Sequence, residues 1–368
     1  MNHNSTDKNL SILHLIDTLH PGGAETLAVN ITNSLNRNGV DAYLISTRAQ
    51  GILLEKITRP DKYFFLNKKS TFDLHAFRQL NRFIKQNRIR IIHAHTNSYF
   101  MASIMKIFRP SLKVVWHNHT GKNTELSGKK LKTLQYFSRY FDGIVHVNKE
   151  LLNWGNQKFE LKHQILLAHF PLLKFSENNP YQNFPQGKRI VHVAGWRPVK
   201  DHPTLLRAFK KISEKHPDAS LHLIGPAYGD AYEKNVRQLI KDLELEKSVY
   251  CHGTQTAIGD WLKGADIGVL SSQSEGLPVS LLEYGLAGLP VVSTAVGEIP
   301  AVLENGKYGK LVPPGDADAL ANAITDYLDH PEEARNTGEA FRRHVEANYS
   351  EEAFLNELID FYEQIIHG

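Results

Sequence analysis

Residues 274–290 read SEGLPVSLLEYGLAGLP, and this stretch decides the fold. An apolar run ending in Leu270-Ser271-Ser272 precedes it, and Pro290-Val291-Val292 leads into another. Strand, glycine–proline turn, helix and strand in that order form the repeating unit of a parallel α/β sheet. Gly276, Leu277 and Pro278 stand directly ahead of the helix, where backbone N–H groups face outward and suit a phosphate. Glu275 and Glu283 lie eight residues apart. A carboxylate at the mouth, Glu275, can accept hydrogen bonds from sugar hydroxyls. One two turns into the helix, Glu283, lies on a neighbouring face and can take a second diol such as a ribose. A bare pair of glutamates at this spacing also fits a capped helix with two surface charges; the flanking strands and the turn weigh against that.

The same alternation extends outward in both directions. Strand-like apolar runs occur at 10–16, 42–46, 89–95, 112–117 and 143–147, with helical apolar spacing at 24–36 and 72–85. Between 170 and 188 the periodicity stops, and Pro171, Asn178, Asn179, Pro180, Asn183, Pro185 and Gly187 read as an interdomain linker. Strands then resume at 189–194, 221–225, 249–252, 267–270, 291–293 and 309–312, and helices at 203–215, 230–243, 281–286, 317–328 and 350–366. The expected fold class is α/β, with two doubly wound Rossmann-like domains and ligands beyond the carboxyl ends of the strands.

A length of 368 residues suits two domains, and 41% hydrophobic with 22% charged residues is ordinary globular usage, which excludes a disordered, coiled-coil or collagen-like chain. No apolar run reaches the roughly 18–20 residues of a membrane span. Residues 1–9 are polar and lack a leader-peptide pattern. The single cysteine, Cys251, rules out an internal disulfide and a cysteine-based zinc cluster, so the expected compartment is the cytoplasm. Charge divides unevenly. Residues 1–170 carry 24 Lys and Arg against 11 Asp and Glu, net +13, while residues 171–368 carry 19 against 28, net −9. A basic half suits an anionic partner, and an anionic membrane surface or a nucleic acid are both candidates. No nucleic-acid-binding motif is recognisable, so nucleic acid is not expected as a partner.

Two His-x-His pairs end adjacent strands: His93 with His95, and His117 with His119. Alternate strand residues share a face, so each pair could hold zinc, but no Cys or acidic cluster completes a site and no metal is expected.

Over about residues 189–315, and more weakly over most of the chain, the sequence resembles retaining glycosyltransferases of family 4, the group 1 glycosyl transferases with the GT-B fold. That resemblance implies two Rossmann-like domains facing each other across a cleft. Residues 1–173 would form the acceptor-side domain, with a C-terminal helix at 351–368 packing back on it, and residues 174–350 the nucleotide-sugar-binding domain. Ala194-Gly195-Trp196-Arg197-Pro198-Val199-Lys200-Asp201-His202 resembles the segment whose arginine and lysine grip the donor diphosphate. Arg197 offers a planar fork and Lys200 a point charge, although Lys200 follows at the third position after Arg197 where the commoner pattern has the lysine at the fifth. His20-Pro21-Gly22-Gly23-Ala24-Glu25 resembles the glycine-rich turn of the first domain, where Gly22 and Gly23 would let backbone approach the diphosphate. The diphosphate set is completed by Gly276, Leu277 and Pro278. Val114-Val115-Trp116-His117-Asn118-His119-Thr120 resembles the segment whose histidine reaches the donor sugar, which selects His119, with His117 second. Gly225, His252 and Gly253, at strand ends, would flank the nucleobase, and Glu283 would bind the ribose.

What the resemblance implies is metal-independent sugar transfer with retention, from a UDP- or GDP-linked donor to a saccharide or lipid-linked saccharide acceptor, with His119 and Glu275 as catalytic residues. Cell-surface polysaccharide synthesis is the expected setting, on a cytoplasmic enzyme that docks on the inner membrane face through basic residues such as Lys68, Lys69, Arg78, Arg82, Lys85, Lys129, Lys130 and Lys132. Another GT-B enzyme, such as a sugar-nucleotide epimerase, and a non-catalytic nucleotide-sugar-binding subunit are the alternatives.

Overall fold

Short buried strands alternating with amphipathic helices build two parallel sheets in the computed structural model, which describes residues 10–20, 22–119, 121–167, 170–171 and 173–368. Of the residues quoted above, 1–9, Pro21 and Thr120 lie outside the described residues. The chain divides into two compact units, residues 1–169 with 354–368, and residues 170–353.

In the first unit the order is β1 (Ser11–Thr18), α1 (Gly23–Arg37), β2 (Asp41–Ala49), β3 (Tyr63–Phe65), α2 (Leu74–Gln86), β4 (Ile91–His95), α3 (Tyr99–Phe108), β5 (Lys113–Asn118), α4 (Gly128–Ser138), β6 (Gly143–His146), α5 (Lys149–Lys158) and β7 (Gln164–Leu166). The strands pair in the order β3-β2-β1-β4-β5-β6-β7, all parallel. Winding therefore reverses between β1 and β4. Period-two alternation sorts the side chains. Leu13, Leu15, Ile92, Ala94, Val114 and Trp116 join the apolar side chains of α2, α3 and α4 in one core. His14, His93, His95 and His117, in alternation with them, are fully buried as well.

The second unit contains β8 (Arg189–Val193), α6 (His202–Lys215), β9 (Ser220–Ile224), α7 (Ala231–Asp242), β10 (Val249–Gly253), α8 (Ile258–Lys263), β11 (Ile267–Leu270), α9 (Val279–Leu286), β12 (Val291–Thr294), α10 (Ile299–Val302), β13 (Lys310–Val312), α11 (Ala317–Asp329) and α12 (Pro331–Asn348). Its strands pair in the order β10-β9-β8-β11-β12-β13, again parallel, with the reversal between β8 and β11. One core, around Leu206, Phe209, Leu221 and Ile324, and a second, around Val191, Leu281, Tyr284 and Phe341, cover the two faces. Asparagine or aspartate caps open several helices: Asp73, Asn148, Asp201, Asp230 and Asp316 each accept from a backbone N–H in the first turn.

The last helix, α13 (Glu351–His367), enters the first unit at Phe354. Its Phe361 and Ile365 press on Gly143, where a Cβ would stand 2.6 Å from both side chains, so only glycine fits beneath them. Residues 170–188, expected as a linker, belong to the second unit. Tyr181 is buried there, donates to the Trp261 carbonyl at 2.8 Å, and has Arg189 over its ring. Ser176 bonds Asp260 through both its N–H and its hydroxyl. Aromatic side chains inside the proline- and asparagine-rich stretch, invisible to periodicity, anchor it. Among the described residues no helix is long and apolar enough to cross a membrane.

Candidate active site

The carboxyl ends of β8 and β11 flank the reversal in the second sheet, where a ligand crevice opens in doubly wound folds. After β8 the chain runs through Gly195, Trp196 and Arg197 into a short turn ending at Asp201, which takes left-handed backbone (φ 48°) and caps α6. After β11 the chain turns through 271–278 into α9. The two loops clasp each other. The Ser271 hydroxyl donates to the Lys200 carbonyl (2.9 Å), the Gln273 N–H donates to the Val199 carbonyl (2.8 Å), and the Gln273 amide donates to the Asp201 carboxylate.

Inside that clasp, Lys200 Nζ donates to Glu275 Oε1 at 2.5 Å. The Ser272 hydroxyl donates to the same oxygen at 2.6 Å, and the Thr294 hydroxyl ties down the Ser272 carbonyl at 2.6 Å. The sequence assigns Lys200 to the diphosphate and Glu275 to the sugar; the structure holds the two against each other. Both bonds to Glu275 use Oε1, and Oε2 has no hydrogen-bond partner among the described residues. The Glu275 side chain is 9% exposed and that of Lys200 22%. Burying two charges this far is tolerable because each neutralises the other. Arg197 behaves differently. It is exposed and rests on Tyr228, bonding the hydroxyl at 3.2 Å with its guanidinium 5.5 Å from the ring centre.

Gly276, Leu277 and Pro278 lead into α9, whose first turn has no side-chain cap. Orphan N–H groups at such a start are available to an anion. Gly297, in the loop after β12, takes φ +57°, and a Cβ there would stand 2.0 Å from the Glu275 carbonyl oxygen. That glycine is therefore required for the backbone to approach the turn that carries Glu275. Glu283 lies on α9, largely shielded, and no hydrogen bond reaches its carboxylate among the described residues. Burial alone pushes its pKa up to about 7. An unsatisfied carboxylate of this kind is suited to the paired hydroxyls of a ribose.

Gly225 and Gly253 sit at neighbouring strand ends, the Gly225 N–H donating to the Gly253 carbonyl at 2.8 Å. A Cβ on Gly225 would meet the Ala194 carbonyl oxygen at 2.1 Å, so its glycine serves close packing of the chain after β8. Around Gly253, with φ +64°, the space is open. The His252 imidazole packs inward. Its Nε2 bonds His222 Nδ1 at 2.9 Å, its ring lies against Trp261 and Phe184, and burial lowers its pKa to about 4.

In the first unit Gly22 and Gly23 open α1, again without a side-chain cap. Gly23 has nothing within 4 Å of where a Cβ would stand, whereas at Gly22 the Glu25 carboxylate curls to 2.2 Å of that point. His119 follows β5. Its Nε2 bonds His95 Nδ1 at 2.9 Å, and its ring stacks on His117 with centroids 4.0 Å apart. His95 Nε2 in turn bonds His14 Nδ1 at 3.0 Å. Alongside, His93 Nε2 bonds His117 Nδ1 at 3.0 Å, and His93 Nδ1 bonds the Tyr362 hydroxyl of α13 at 2.5 Å. Ligand nitrogens of His93, His95 and His117 lie within 4.8 Å of one another, close enough to be gathered by a metal ion. In the structure His93 and His117 bond each other while His95 bonds His14 and His119, and a metal would have to break those bonds.

Sequence reading gave no site role to Ser272, Gly297, His14 or Tyr362, and took His95 only as half of a His-x-His pair. His14 alone carried a signal, as the one ionisable residue inside the apolar run 10–16. A groove lined by Lys188, Lys263, Asp266, Tyr327 and Arg335 lies at the opposite, amino-terminal edge of the second sheet and takes in none of these residues.

Two family matches cover most of the chain. Residues 175–344 match the family described as Glycosyl transferases group 1, and residues 21–165 the one described as Glycosyltransferase Family 4. The N-acetyl-alpha-D-glucosaminyl L-malate synthase of Bacillus anthracis is 31% identical over 180 residues, 49% of this chain and 46% of that protein, so the matched stretch spans about half of each. An uncharacterized glycosyltransferase of Haemophilus influenzae is 22% identical over 320 residues, 84% of this chain and 88% of that protein. HepE of Anabaena, solved in complex with UDP, superposes with a TM-score of 0.82 over 96% of this chain and 100% of that one, at 18% identity, a likeness of fold. Two Rossmann-like units matched in tandem by these two families are the GT-B plan, and the chain belongs to the family 4 glycosyltransferases.

Proposed function

We propose that this protein transfers a sugar from a nucleotide-sugar donor to a saccharide or lipid-linked saccharide, with retention of anomeric configuration and without a metal ion, in cell-surface polysaccharide synthesis. The Lys200–Glu275 pair at the reversal point of the second sheet carries the reading, with the uncapped start of α9 and the unsatisfied Glu283 beside it. In this reading the donor diphosphate draws on Lys200, Arg197 and the first-turn amides of α9. Preorganised cations and amides then neutralise the charge that grows on the departing diphosphate. Glu275 is held in place by Ser272 and presents Oε2 to sugar hydroxyls, and Glu283 takes the ribose. His119 and the glycine turn at Gly22 and Gly23 keep the sugar and diphosphate roles that the family resemblance gives them. A donor phosphate oxygen accepts the acceptor's proton, so no protein carboxylate is required as base. UDP is favoured over GDP because structures of HepE from Anabaena were solved with UDP and with UDP-glucose.

A thermal-shift screen of UDP-, GDP- and ADP-sugars tests the donor assignment, because a ligand stabilises the native state according to its affinity. Stabilisation by a UDP-sugar, abolished in Lys200→Ala with Glu283→Ala, is the expected result. Shifts that survive in both variants move the site elsewhere. Acceptor-dependent release of UDP, unaffected by dialysis against EDTA, is expected next. Loss of turnover on chelation would overturn metal independence and direct attention to His93, His95 and His117. Donor consumption without any acceptor would favour an epimerase.

The membrane-facing part of the proposal rests on the first unit. Phe72 (72% exposed) meets Phe100, Phe100 meets Phe137, and Phe137 meets the exposed Tyr136, forming an aromatic strip across α2, α3 and α4. Exposed Leu74 and Phe108 lie on the same helices, with Lys69, Lys129, Lys130 and Arg139 on these helices or beside them. Of the expected contacts, Lys68 is buried and drops out. Each Lys or Arg near an anionic surface is worth about 1 kcal/mol, and exposed aromatics suit the headgroup level. Co-sedimentation with anionic vesicles at low salt is expected, lost at high salt and with neutral vesicles. No binding at low salt would remove the docking proposal and leave the transfer reading intact.

A further inference from the structure

The winding of the first sheet reverses between β1 and β4, and the carboxyl ends of those strands are where a doubly wound unit opens a ligand crevice. Asp17 stands near the end of β1. Beside it the register slips: Ile16 pairs with Ser46 but Thr18 with Ala49, so β2 sets two residues, Thr47 and Arg48, against one of β1. The Thr47 hydroxyl donates to Asp17 Oδ1 at 2.7 Å, and Arg48 Nε lies 3.9 Å from Oδ2. Ser98, just past β4, donates to Oδ1 at 3.4 Å. No hydrogen bond reaches Asp17 Oδ2 among the described residues.

The chain after β3 closes this corner. The Leu66 N–H donates to the Ser46 carbonyl at 3.0 Å and the Lys68 N–H to the Thr47 carbonyl at 2.6 Å, with Asn67 between them in left-handed backbone (φ 51°). Lys68, pinned there, is 8% exposed, and among the described residues no hydrogen bond or ion pair reaches its ammonium. The two carboxylates that act on it are engaged elsewhere. Asp17 serves Thr47, Ser98 and Arg48, and Asp73 accepts from the Lys69 and Ala76 N–H groups at the start of α2. Burial, and then the charge of Arg48, lower the pKa of Lys68 against the pull of Asp17 and Asp73. An ammonium shielded this far without a counter-ion costs stability, and proteins keep such a group where a ligand completes it.

We propose that Lys68 and Arg48 bind an oxyanion, the phosphate or carboxylate of an acidic acceptor, with Asp17 Oδ2 taking a hydroxyl of the same molecule. Lys68 supplies a shielded point charge, and Arg48, its side chain 42% exposed, supplies the planar fork at the solvent side. That the anion belongs to the acceptor rests on the transferase reading; that an anion binds here does not.

Melting curves of the full chain in phosphate-free buffer, with and without added inorganic phosphate, test the site. Lys200→Ala is the common background, so that a cation of the donor site is absent throughout. Phosphate should raise the Tm. Lys68→Met, which fills the same space without charge, should raise the Tm in phosphate-free buffer and abolish the gain from phosphate. A Lys68→Met protein that melts lower in phosphate-free buffer, or that keeps the phosphate gain, overturns the proposal. If Lys68→Met fails to fold, the exposed Arg48→Gln reads the same site, and its calorimetric affinity for phosphate should fall at least about tenfold; unchanged affinity overturns the proposal. Titration with glucose, glucuronate and glucose 6-phosphate separates the two anions. One of the acids should bind at least about tenfold more tightly than glucose, and equal affinity for all three removes the acceptor assignment. With the acid that binds as acceptor, Lys68→Met in the otherwise unaltered chain should raise its KM and leave that of UDP-glucose unchanged. An unmoved acceptor KM also removes the acceptor assignment. If the unaltered chain transfers no sugar, the transferase reading fails while phosphate binding through Lys68 stands.

Discussion

The two sheets share one winding plan and both bury neutral imidazoles; the first gathers them across its strands, and the second adds a charge pair at its rim. In the first, five imidazoles stand at 0% exposure; His14, His93, His95 and His117 bond other imidazoles, and His146 bonds the Asn118 and Gln164 amides. In the second, a full ion pair, Lys200 with Glu275, lies at the rim, partly exposed, with Ser272 sharing the carboxylate. The difference follows from the cost of desolvation. A neutral imidazole whose ring nitrogens find partners can be buried outright, whereas a charge is tolerable only where a counter-charge, solvent or a ligand compensates it. A neutral column sets geometry. A rim ion pair can exchange one partner for an incoming anion.

The largest way to break the comparison is acid. Burial lowers His14 to about 3 and His146 to about 4, and takes His93 and His95 well below their usual value. In the second unit burial lowers His192 to about 4 and His222 to about 3. Because these folded-state values lie below the unfolded value of about 6.5, the unfolded chain takes up protons first. Stability is therefore complete above pH 6.5 and lost as pH falls from there towards 3. One such imidazole contributes at most about 1.4 kcal/mol per pH unit, and several lowered in the same direction make the fall steep. Urea midpoints measured across pH 5–8 should fall steeply below 6.5, and His14→Phe should flatten the slope. A midpoint independent of pH would mean that these side chains are charged or solvated.

Next in size is the rim. Glu275→Gln keeps the shape and removes the charge, and should lower kcat about 10²–10³-fold, the scale of one lost preorganised contact to the reacting centre. Lys200→Ala should weaken UDP binding by about 1.5–3 kcal/mol and also lower the Tm, since Glu275 is then left as a shielded, unpaired carboxylate. Calorimetric titration and a melting curve on one sample separate the two effects. Unchanged UDP affinity would make the pair a structural clasp.

A smaller effect concerns Glu283, whose burial raises its pKa to about 7. Ribose hydroxyls donate to the ionised form, so binding should release a proton below pH 7, and affinity at pH 6 should be about tenfold weaker than at pH 8. Titration in buffers of different ionisation enthalpy measures that proton. No proton release would place the ribose elsewhere.

The smallest change sharpens the neutral side. Tyr362→Phe removes one buried bond to His93 and should cost about 1–2 kcal/mol in urea unfolding, while Tyr362→Phe with His93→Phe together should cost less than the sum of the singles. Strict additivity would mean that α13 is held on the sheet by packing on Gly143 alone.

Much of this was legible in the amino-acid order. Apolar alternation located both sheets, and the 274–290 stretch located the crevice after β11, because period-two and period-3.6 patterns are local properties of the chain. The failures share a cause. Residues 170–188 look like a linker because proline and asparagine break periodicity, yet Tyr181 and Ser176 find partners about 80 residues away, at Trp261 and Asp260. Lys68 looked like a free surface cation and is buried, its neighbourhood being built by distant chain.

Sequence by itself determined the two-sheet plan, the charge asymmetry and the identity of the ionisable residues at the strand ends, since composition and spacing are complete before folding. Tertiary structure alone decided that Lys200 meets Glu275 across 75 residues, that Gly297 must leave room for the Glu275 backbone, and that His14 stands behind His95 across 81. Parallel strands far apart in sequence become neighbours only through crossover connections, and hydrogen-bond chains running across strands exist only once the register between those strands is formed.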